Sequence, residues 1–456
     1  TPPSSARAGA VPALSIRACR FSVSDYRKID GKLGDWELMG ELSKDYGLML
    51  DAVVNHTSQS HRWFKSCLEG VAKYRDSYIS ADPDADYSQV TRPRTSPLLS
   101  KFHTFAGEQY FWTTFSNDQI DLNYANPRVL AEVMEILLFY AAKGAKFIRL
   151  DAIGFIYKKL GTSCMHLKET HAIVKLMRLV VEQFFPGTYI VTETNVPHED
   201  NISYFGNGDE AHLVYQFPLP PLVMFSLQRG DATKLTRWAQ TLDFSCLHKD
   251  NTYFNFLASH DGVGLRPVEG ILSPEEIEFL LETVTKNGGE ISYKVNKDGG
   301  KSPYELNISY MDGITNPAAS REARFKRFMA SQAIILSLQG IPGIYYHSLF
   351  GSGNWYEGVA SSGISRKINR EKLDYEALSA ELKDKSSLRS MVLSSYKALL
   401  KIRGQHSAFS PDAHQKILDL SPSLFVVERY NAATGERIIA MINVTGKTVT
   451  LDQPVK

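Results

Sequence analysis

The chain has 456 residues, is 43% hydrophobic and 11% aromatic, and carries a formal net charge of +1. That length suits one large domain with additions, or two to three ordinary ones, and the apolar share is enough for a sizeable core. The near-zero charge, with no basic run interleaved with aromatics, gives no electrostatic reason to expect nucleic acid or a membrane surface as partner, and the chain lacks the run of about 18 apolar residues that marks a membrane-spanning helix.

The cysteines Cys19, Cys67, Cys164 and Cys246 are scattered, with no CxxC or Cys/His cluster of zinc type. They read as buried or incidental thiols, which suits a reducing, cytoplasmic setting. The first twenty residues lack the charged and continuous apolar regions of a signal peptide. The 22 Tyr and 23 Phe suit a planar-faced ligand such as a carbohydrate, but they suit a plain core better. Nothing in the pattern points to an oligomeric state.

Along the chain, short apolar runs ending in polar residues alternate with helical patterns. "GLMLDAVVNH" (47–56) reads as a strand. Residues 57–120, rich in Ser, Tyr, Pro and Asp, then interrupt the alternation and read as an inserted cap or small domain. "PRVLAEVMEILLFYAAKG" (127–144) spaces its apolar residues three to four apart, the period of a helix with one buried face. The strand "AKFIRLDA" (145–152), the helix "MHLKETHAIVKLMRLVVEQF" (165–184), and the strands "TYIVTET" (188–194), "AHLVYQF" (211–217) and "TYFNFLASH" (252–260) follow. A second interruption spans 265–320; after it come the helix "REARFKRFMASQAIILSLQG" (321–340) and the strand "IPGIYYH" (341–347). "SLFVVERYNAATGERIIAMINVTGKTVTLD" (423–452) predicts antiparallel strands joined at Ala-Thr-Gly and Thr-Gly-Lys turns.

Strand–helix alternation predicts an α/β fold with a parallel sheet and helices outside it, and near-continuous apolar strands predict a sheet covered on both faces. Polar residues at each strand's C-terminal end suit a (β/α)₈ TIM barrel, whose active-site face is that end. An open doubly wound sheet is the rival, and no GxGxxG or GxxxxGK[ST] turn supports its nucleotide-binding form. The domain reading is an atypical segment over 1–20, a catalytic barrel over 21–404 with insertions at about 57–120 and 265–320, and a separate small β domain over 405–456.

The stretch "KFIRLDAIGF" (146–155) places Arg149 and Asp151 two residues apart in an apolar strand, so both side chains share one face. Such a pair is either a structural ion pair or an active-site carboxylate tuned by an arginine. Other strand ends carry Asp51, Asn55 and His56, Glu193, and His260 with Asp261. In one barrel these would converge on one mouth, bringing together the carboxylates of Asp151, Glu193 and Asp261. Coincident buried acids need pairing, protonation or a metal. A metal site is disfavoured, because the close HxH or HxxxH spacing common in zinc sites is missing. Glycoside chemistry is the other reading: retaining cleavage uses one carboxylate as nucleophile and a second as acid, then base. An arginine beside the nucleophile would keep it ionised at neutral pH.

Four motifs, "DAVVNH", "FIRLDAIGF", "TET" and "ASHDG", resemble in order the four signature regions of the α-amylase superfamily of glycoside-active barrels, and "QIDLNYANP" (119–127) resembles its additional motif. "GTSC" (161–164), "FPLPPLVMFSL" (217–227), "SHDGVG" (259–264) and "SRKINR" (365–370) look like the sucrose phosphorylase branch. "TETNVPHEDNISYFG" (192–206) and "RPRTSPLL" (92–99) look most like branch members acting on glucosylglycerate or on sucrose 6′-phosphate. The resemblance implies a retaining phosphorylase that passes glucose from an α-glucoside to phosphate, giving α-glucose 1-phosphate and needing no cofactor. It implies Asp151 as nucleophile, Glu193 as acid/base and Asp261 as transition-state stabiliser. It also implies that His56, Arg149, His260 and Arg366 hold the glucose, and that Asp51 and Asn55 fix a loop. By residue type alone, His56 and His260 would be satisfied core histidines; within this constellation, sugar binding is the stronger reading. Arg92 and Arg94 are either solvated loop residues or a fork for phosphate or an acidic acceptor. A hydrolase of the same superfamily and an inactive shortened homologue stay open as alternatives.

The resemblance starts at Phe21. Residues 1–20 do not match the family's first barrel strands, which are therefore expected to be missing, with "AVPALSI" (10–16) available as one edge strand. "IRAC" stands where the family has an acid-bearing loop, so Arg366 is expected to lack its aspartate partner. On this reading residues 1–456 alone would be poorly soluble or inactive.

Overall fold

The computed structural model describes residues 8–11, 21–242, 244, 250–296 and 300–451, and the chain divides into two compact units. Most of the atypical segment 1–20, including Pro12 and Cys19, lies outside the described residues, as does Cys246.

The first unit comprises residues 1–194, 199–214 and 294–302. Its parallel strands are β1 (Ala8–Val11), β2 (Gly47–Ala52), β3 (Ala145–Leu150), β4 (Tyr189–Thr192) and β5 (Leu213–Tyr215), and they lie in that order in the sheet. Spatial order therefore follows chain order, as in a barrel wall, whereas a doubly wound sheet reverses at a switch point. Strand β1 pairs with β2 from Ala8↔Gly47 to Val11↔Leu50. The expected edge strand over 10–16 is thus met only at its first two residues, and the rest of that span is not described.

Helices α1 (Trp36–Asp45), α2 (Pro127–Ala142) and α3 (Lys168–Phe184) alternate with these strands. Helix α2 starts where it does because the Asn126 side chain accepts from Arg128 N, and Pro127 fits the first turn, where no N–H is needed. Its buried residues Val129, Val133, Ile136, Leu137 and Tyr140 recur on one stripe. Within residues 57–120 the chain forms the helix Arg62–Leu68 and an antiparallel sheet ordered Ser80–Ala81, Gly107–Trp112, Leu99–Thr104. Phe64 packs edge-on against Phe102 and Phe111 there, with ring centroids 5.0 and 5.3 Å away.

The second unit comprises residues 195–198, 215–293 and 303–456. Its parallel strands β6 (Thr252–Phe256) and β7 (Ile341–Gly343) pair in register from Phe254↔Ile341 to Phe256↔Gly343. Helices α4 (Leu219–Arg229), α5 (Pro274–Lys286), α6 (Arg321–Ser337) and α7 (Leu388–Gln405) surround one core that includes Leu222, Val284, Phe328 and Tyr396. Helix α5 lies inside the span read as an interruption. Its start is a capping box: Ser273 Oγ accepts from Glu276 N, and the Glu276 carboxylate accepts from Ser273 N.

The C-terminal sheet is antiparallel, with β8 (His414–Leu418), β9 (Leu424–Asn431) and β10 (Glu436–Asn443) in that order. It differs from expectation at both ends. Strand β8 was unforeseen, and residues 448–451, beyond Thr-Gly-Lys, form no strand. The Asn443 side chain explains the stop: it accepts from Thr445 N at 2.8 Å and donates to Lys447 O at 2.7 Å, folding the chain into a turn. Ile417, Phe425, Val427 and Ile442 of this sheet belong to the same core as the helices. Wholly buried Arg429 donates to Ser337 O at the end of α6 (3.2 Å), to Ser410 O (2.8 Å) and to Ala413 O (3.2 Å). Burial lowers its pKa to about 9, which still leaves it a cation at neutral pH.

In the first unit, Leu137 is fully buried on α2, whereas Leu179 on α3 is 63% exposed. Leu137→Ala is expected to cost about 2–5 kcal/mol of stability, and Leu179→Ala to stay within about 0.5 kcal/mol. Urea denaturation of the two variants measures this, and equal losses would contradict the assignment of the buried stripe.

Candidate active site

The candidate residues fall into two groups, one in each unit. In the first unit, the in-register pairs Asp51↔Arg149 and Leu150↔Thr192 align the ends of β2, β3 and β4. Asp51, Arg149, Asp151 and Glu193 therefore project from one face. Arg149 Nη1 lies 2.6 Å from Asp51 Oδ1 and 2.9 Å from Asp151 Oδ1, and Nη2 lies 3.8 Å from Glu193 Oε2. The Arg149 side chain is 8% exposed. The shared-face reading of Arg149 and Asp151 thus holds, and Asp51, expected only to fix a loop, is a full partner of the same guanidinium.

Just after Asp151 the chain turns sharply. Ala152 has φ +50°, a left-handed conformation that costs a residue with a Cβ about 1 kcal/mol or more. The turn aims Ala152 N at Glu193 Oε2, 3.2 Å away. Cys164 (φ +52°) and His166 (φ +54°) are also left-handed. His166 N donates to Gly154 O at 3.0 Å, and a Cβ on Gly154 would lie 2.9 Å from His166 Cε1. The strained loop is thus locked against the turn that follows Asp151.

His56 is 1% exposed. Its Nδ1 is 3.0 Å from Asn55 Nδ2, its Nε2 is 2.9 Å from Phe21 O, and its ring lies 5.3 Å from that of Phe115. Gln119 Nε2 lies 2.8 Å from the same His56 Nε2, and burial lowers the His56 pKa to about 4, so the ring is neutral at pH 7. Beneath it lies a buried cation that the sequence reading missed. Lys158 Nζ is 2.5 Å from Asp121 Oδ2 and donates to Asn55 Oδ1 at 2.8 Å. Asp121 also accepts from Asn55 Nδ2 (3.2 Å), Thr114 N (3.1 Å) and Thr114 Oγ1 (2.5 Å). Burial lowers the Lys158 pKa, with Asp121 opposing the shift. Arg92 is exposed and donates to Ser96 O at 2.5 Å; Arg94 is partly buried on the same loop, which Thr91 N ties to Ser163 O at 3.0 Å.

In the second unit, Asp261 and His260 follow β6 outside its ladder. Asp261 Oδ1 is 2.6 Å from Arg366 Nη1 and 3.4 Å from Arg370 Nη2, and Asp261 Oδ2 is 3.5 Å from His260 Nε2. The loop expected to lack the aspartate partner of Arg366 lies outside the described residues, and Arg366 is paired elsewhere. Glu305, 2% exposed, grips it through two bonds, from Nε (3.0 Å) and Nη2 (2.9 Å). Burial works to lower the Arg366 pKa, but Asp261 and Glu305 outweigh it and hold the pKa above its ordinary value. Glu305 was missed because it sits in no motif; only its place as the one charged residue of "YELNISY" (304–310) hinted at it.

The α-amylase catalytic-domain family matches residues 15–266. A glucosylglycerate phosphorylase of Spirochaeta thermophila is 48% identical over 425 residues, covering 93% of this chain and 72% of that protein. The glucosylglycerate phosphorylase of Escherichia coli is 44% identical over 427 residues, covering 93% and 76%. Among solved structures, the sucrose 6F-phosphate phosphorylase of Thermoanaerobacter thermosaccharolyticum superposes with a TM-score of 0.80 over 96% of this chain and 90% of that one. At 21% identity, that likeness speaks for the TIM-barrel fold alone.

Two outcomes follow from the buried groups. Lys158→Met leaves the Asp121 carboxylate buried without its cation and is expected to cost about 3–5 kcal/mol; adding Asp121→Leu should recover part of the loss. For His56, the folded pKa lies below the unfolded value of about 6.5, so protonation favours the unfolded chain. Its contribution is complete above pH 6.5 and fades as pH falls toward 4, by up to about 3 kcal/mol. Urea midpoints across that window should fall less steeply in His56→Asn than in the unmodified protein, and parallel slopes would exclude a buried neutral His56.

Proposed function

The chain belongs to the α-amylase family, and on that premise we propose that it is a retaining α-glucoside phosphorylase acting on a glucosylglycerate-type substrate. The 48% and 44% identities to glucosylglycerate phosphorylases support the substrate class. The observation that best supports the chemistry is the Arg149 guanidinium, 2.9 Å from Asp151 and 3.8 Å from Glu193.

In this reading Asp151 attacks the anomeric carbon while Glu193 protonates the departing glycosidic oxygen, releasing glycerate. The product of this step is a β-linked glucosyl ester on Asp151. Phosphate then attacks the same carbon, Glu193 takes its proton, and two inversions give α-glucose 1-phosphate. Esterification removes the charge of Asp151. Asp51, 2.6 Å from the same Arg149 nitrogen, stays as counter-charge, so Arg149 is not stranded in the intermediate. Asp261 and His260 bind sugar hydroxyls, with Asp261 stabilising the oxocarbenium-like transition state, and Arg366 borders the glucose. His56 forms a wall of that subsite. Arg92 and Arg94 meet the acidic acceptor or phosphate, a task suited to planar guanidinium forks. The reaction requires no cofactor. The free thiols of Cys67 and Cys164 support a reducing, cytoplasmic setting.

Product analysis tests the proposal. With glucosylglycerate as substrate, α-glucose 1-phosphate should form only when phosphate is present; rapid release of free glucose regardless of phosphate would make the enzyme a hydrolase. Asp151→Asn should abolish turnover, because an amide cannot form the ester intermediate. Glu193→Gln should lose roughly 10²–10⁴-fold on the natural substrate but much less on an aryl glucoside whose leaving group needs no proton. Equal losses on both substrates would remove the acid role.

A further inference from the structure

The "INR" end of the 365–370 motif has no part in the chemistry above, yet it holds the backbone on which Asp261 sits. The β6 ladder ends at Phe256, so the peptide groups of Leu257–Gly262 must find partners elsewhere. Three consecutive carbonyls find them on two residues. Asn369 Nδ2 donates to Ser259 O at 3.2 Å and to Asp261 O at 2.9 Å, and Arg370 Nε donates to His260 O at 2.5 Å. Only the NH₂ end of an amide can serve two carbonyls, so the orientation of Asn369 is fixed by this contact. Asn369 is 7% exposed, and its buried Oδ1 has no hydrogen-bond partner among the described residues. The residue is placed for its two donors. On the other flank, Glu305 Oε1 accepts from Gly262 N at 2.7 Å. A Cβ on Gly262 would lie 2.5 Å from Leu306 O, so the chain is closely packed there.

We propose that Asn369 is a positioning residue for Asp261, clamping the Ser259 carbonyl and Asp261's own carbonyl so that the carboxylate meets the transition state at a fixed place. The inference rests on the reading of Asp261 as transition-state stabiliser. Without the clamp the loop can relax, and a misplacement of about 1 Å costs on the order of 10²-fold in rate. Because the contact of Asp261 with the sugar strengthens as oxocarbenium charge develops, the loss should fall on kcat and on kcat/KM more than on KM.

The same unit supplies a control. Asn287, also 7% exposed, donates its Nδ2 to Asp312 O at 2.8 Å and to Thr315 O at 3.1 Å. The experiment measures phosphorolysis by Asn369→Ala, the isosteric Asn369→Asp, Asn287→Ala, Asp261→Asn, and Asp261→Asn combined with each Asn369 change. The expected result is a loss of about 10²-fold in kcat for both Asn369 variants, none for Asn287→Ala, and no further loss when Asn369 is changed in the Asp261→Asn background. The inference is overturned if the Asn369 variants lose no more than Asn287→Ala, or if they lose the same factor with and without the Asp261 carboxylate. Unimpaired kcat in Asp261→Asn would instead overturn the role given to Asp261.

Discussion

The cluster of candidate residues in the first unit depends on one buried cation. A carboxylate removed from water without a counter-charge is unstable, and three on one face would repel each other as well. Arg149 makes the arrangement tenable by lying 2.6, 2.9 and 3.8 Å from Asp51, Asp151 and Glu193. It reaches all of them only because Asp51 and Arg149 are directly in register on parallel neighbours and Glu193 ends the next strand. A slip of one residue between β2 and β3 would turn Asp51 to the opposite face. Electrostatics at the strand ends and register inside the sheet are therefore a single constraint.

Backbone strain gathers in the same place. Among the described residues, the non-glycine residues with left-handed φ are Ala152, Cys164 and His166, all within the stretch that follows Asp151. Such conformations persist where their surroundings over-determine them. Here the surroundings are specific: Ala152 N meets Glu193, and His166 N meets Gly154 O. The strain is the cost of turning the chain abruptly at a strand end while keeping the two carboxylates oriented.

Much of this was legible in the sequence. The parallel strands were visible as apolar runs, because burial on both faces leaves an uninterrupted apolar signature. The i, i+2 spacing of Arg149 and Asp151 forecast their contact from strand geometry alone. What was not legible depends on partners far away in the chain. Lys158 reads as an ordinary surface lysine in "FIYKKL" until Asp121 and Asn55 are folded beside it. Glu305 reads as one charge in a strand until Arg366 and Gly262 close on it. Helix α5 was hidden inside a span dominated by its glycine-rich end, and β8 was too short for its alternation to stand out. The turn at Thr445–Lys447 was recognised, but a turn signal does not say whether a strand follows it.

The buried Arg429 bears on how the second unit comes apart. Its guanidinium answers carbonyls from the end of α6 and from the approach to β8, while its own backbone belongs to β9. Peeling the antiparallel sheet away would leave the last turn of α6 with an unanswered carbonyl in an apolar setting, and unwinding α6 would strand a cation in the core. Neither element has a low-energy way to melt first. The sheet, although built from the last stretch of the chain and distinct in its strand pattern, is thereby committed to the same cooperative transition as the helix it caps.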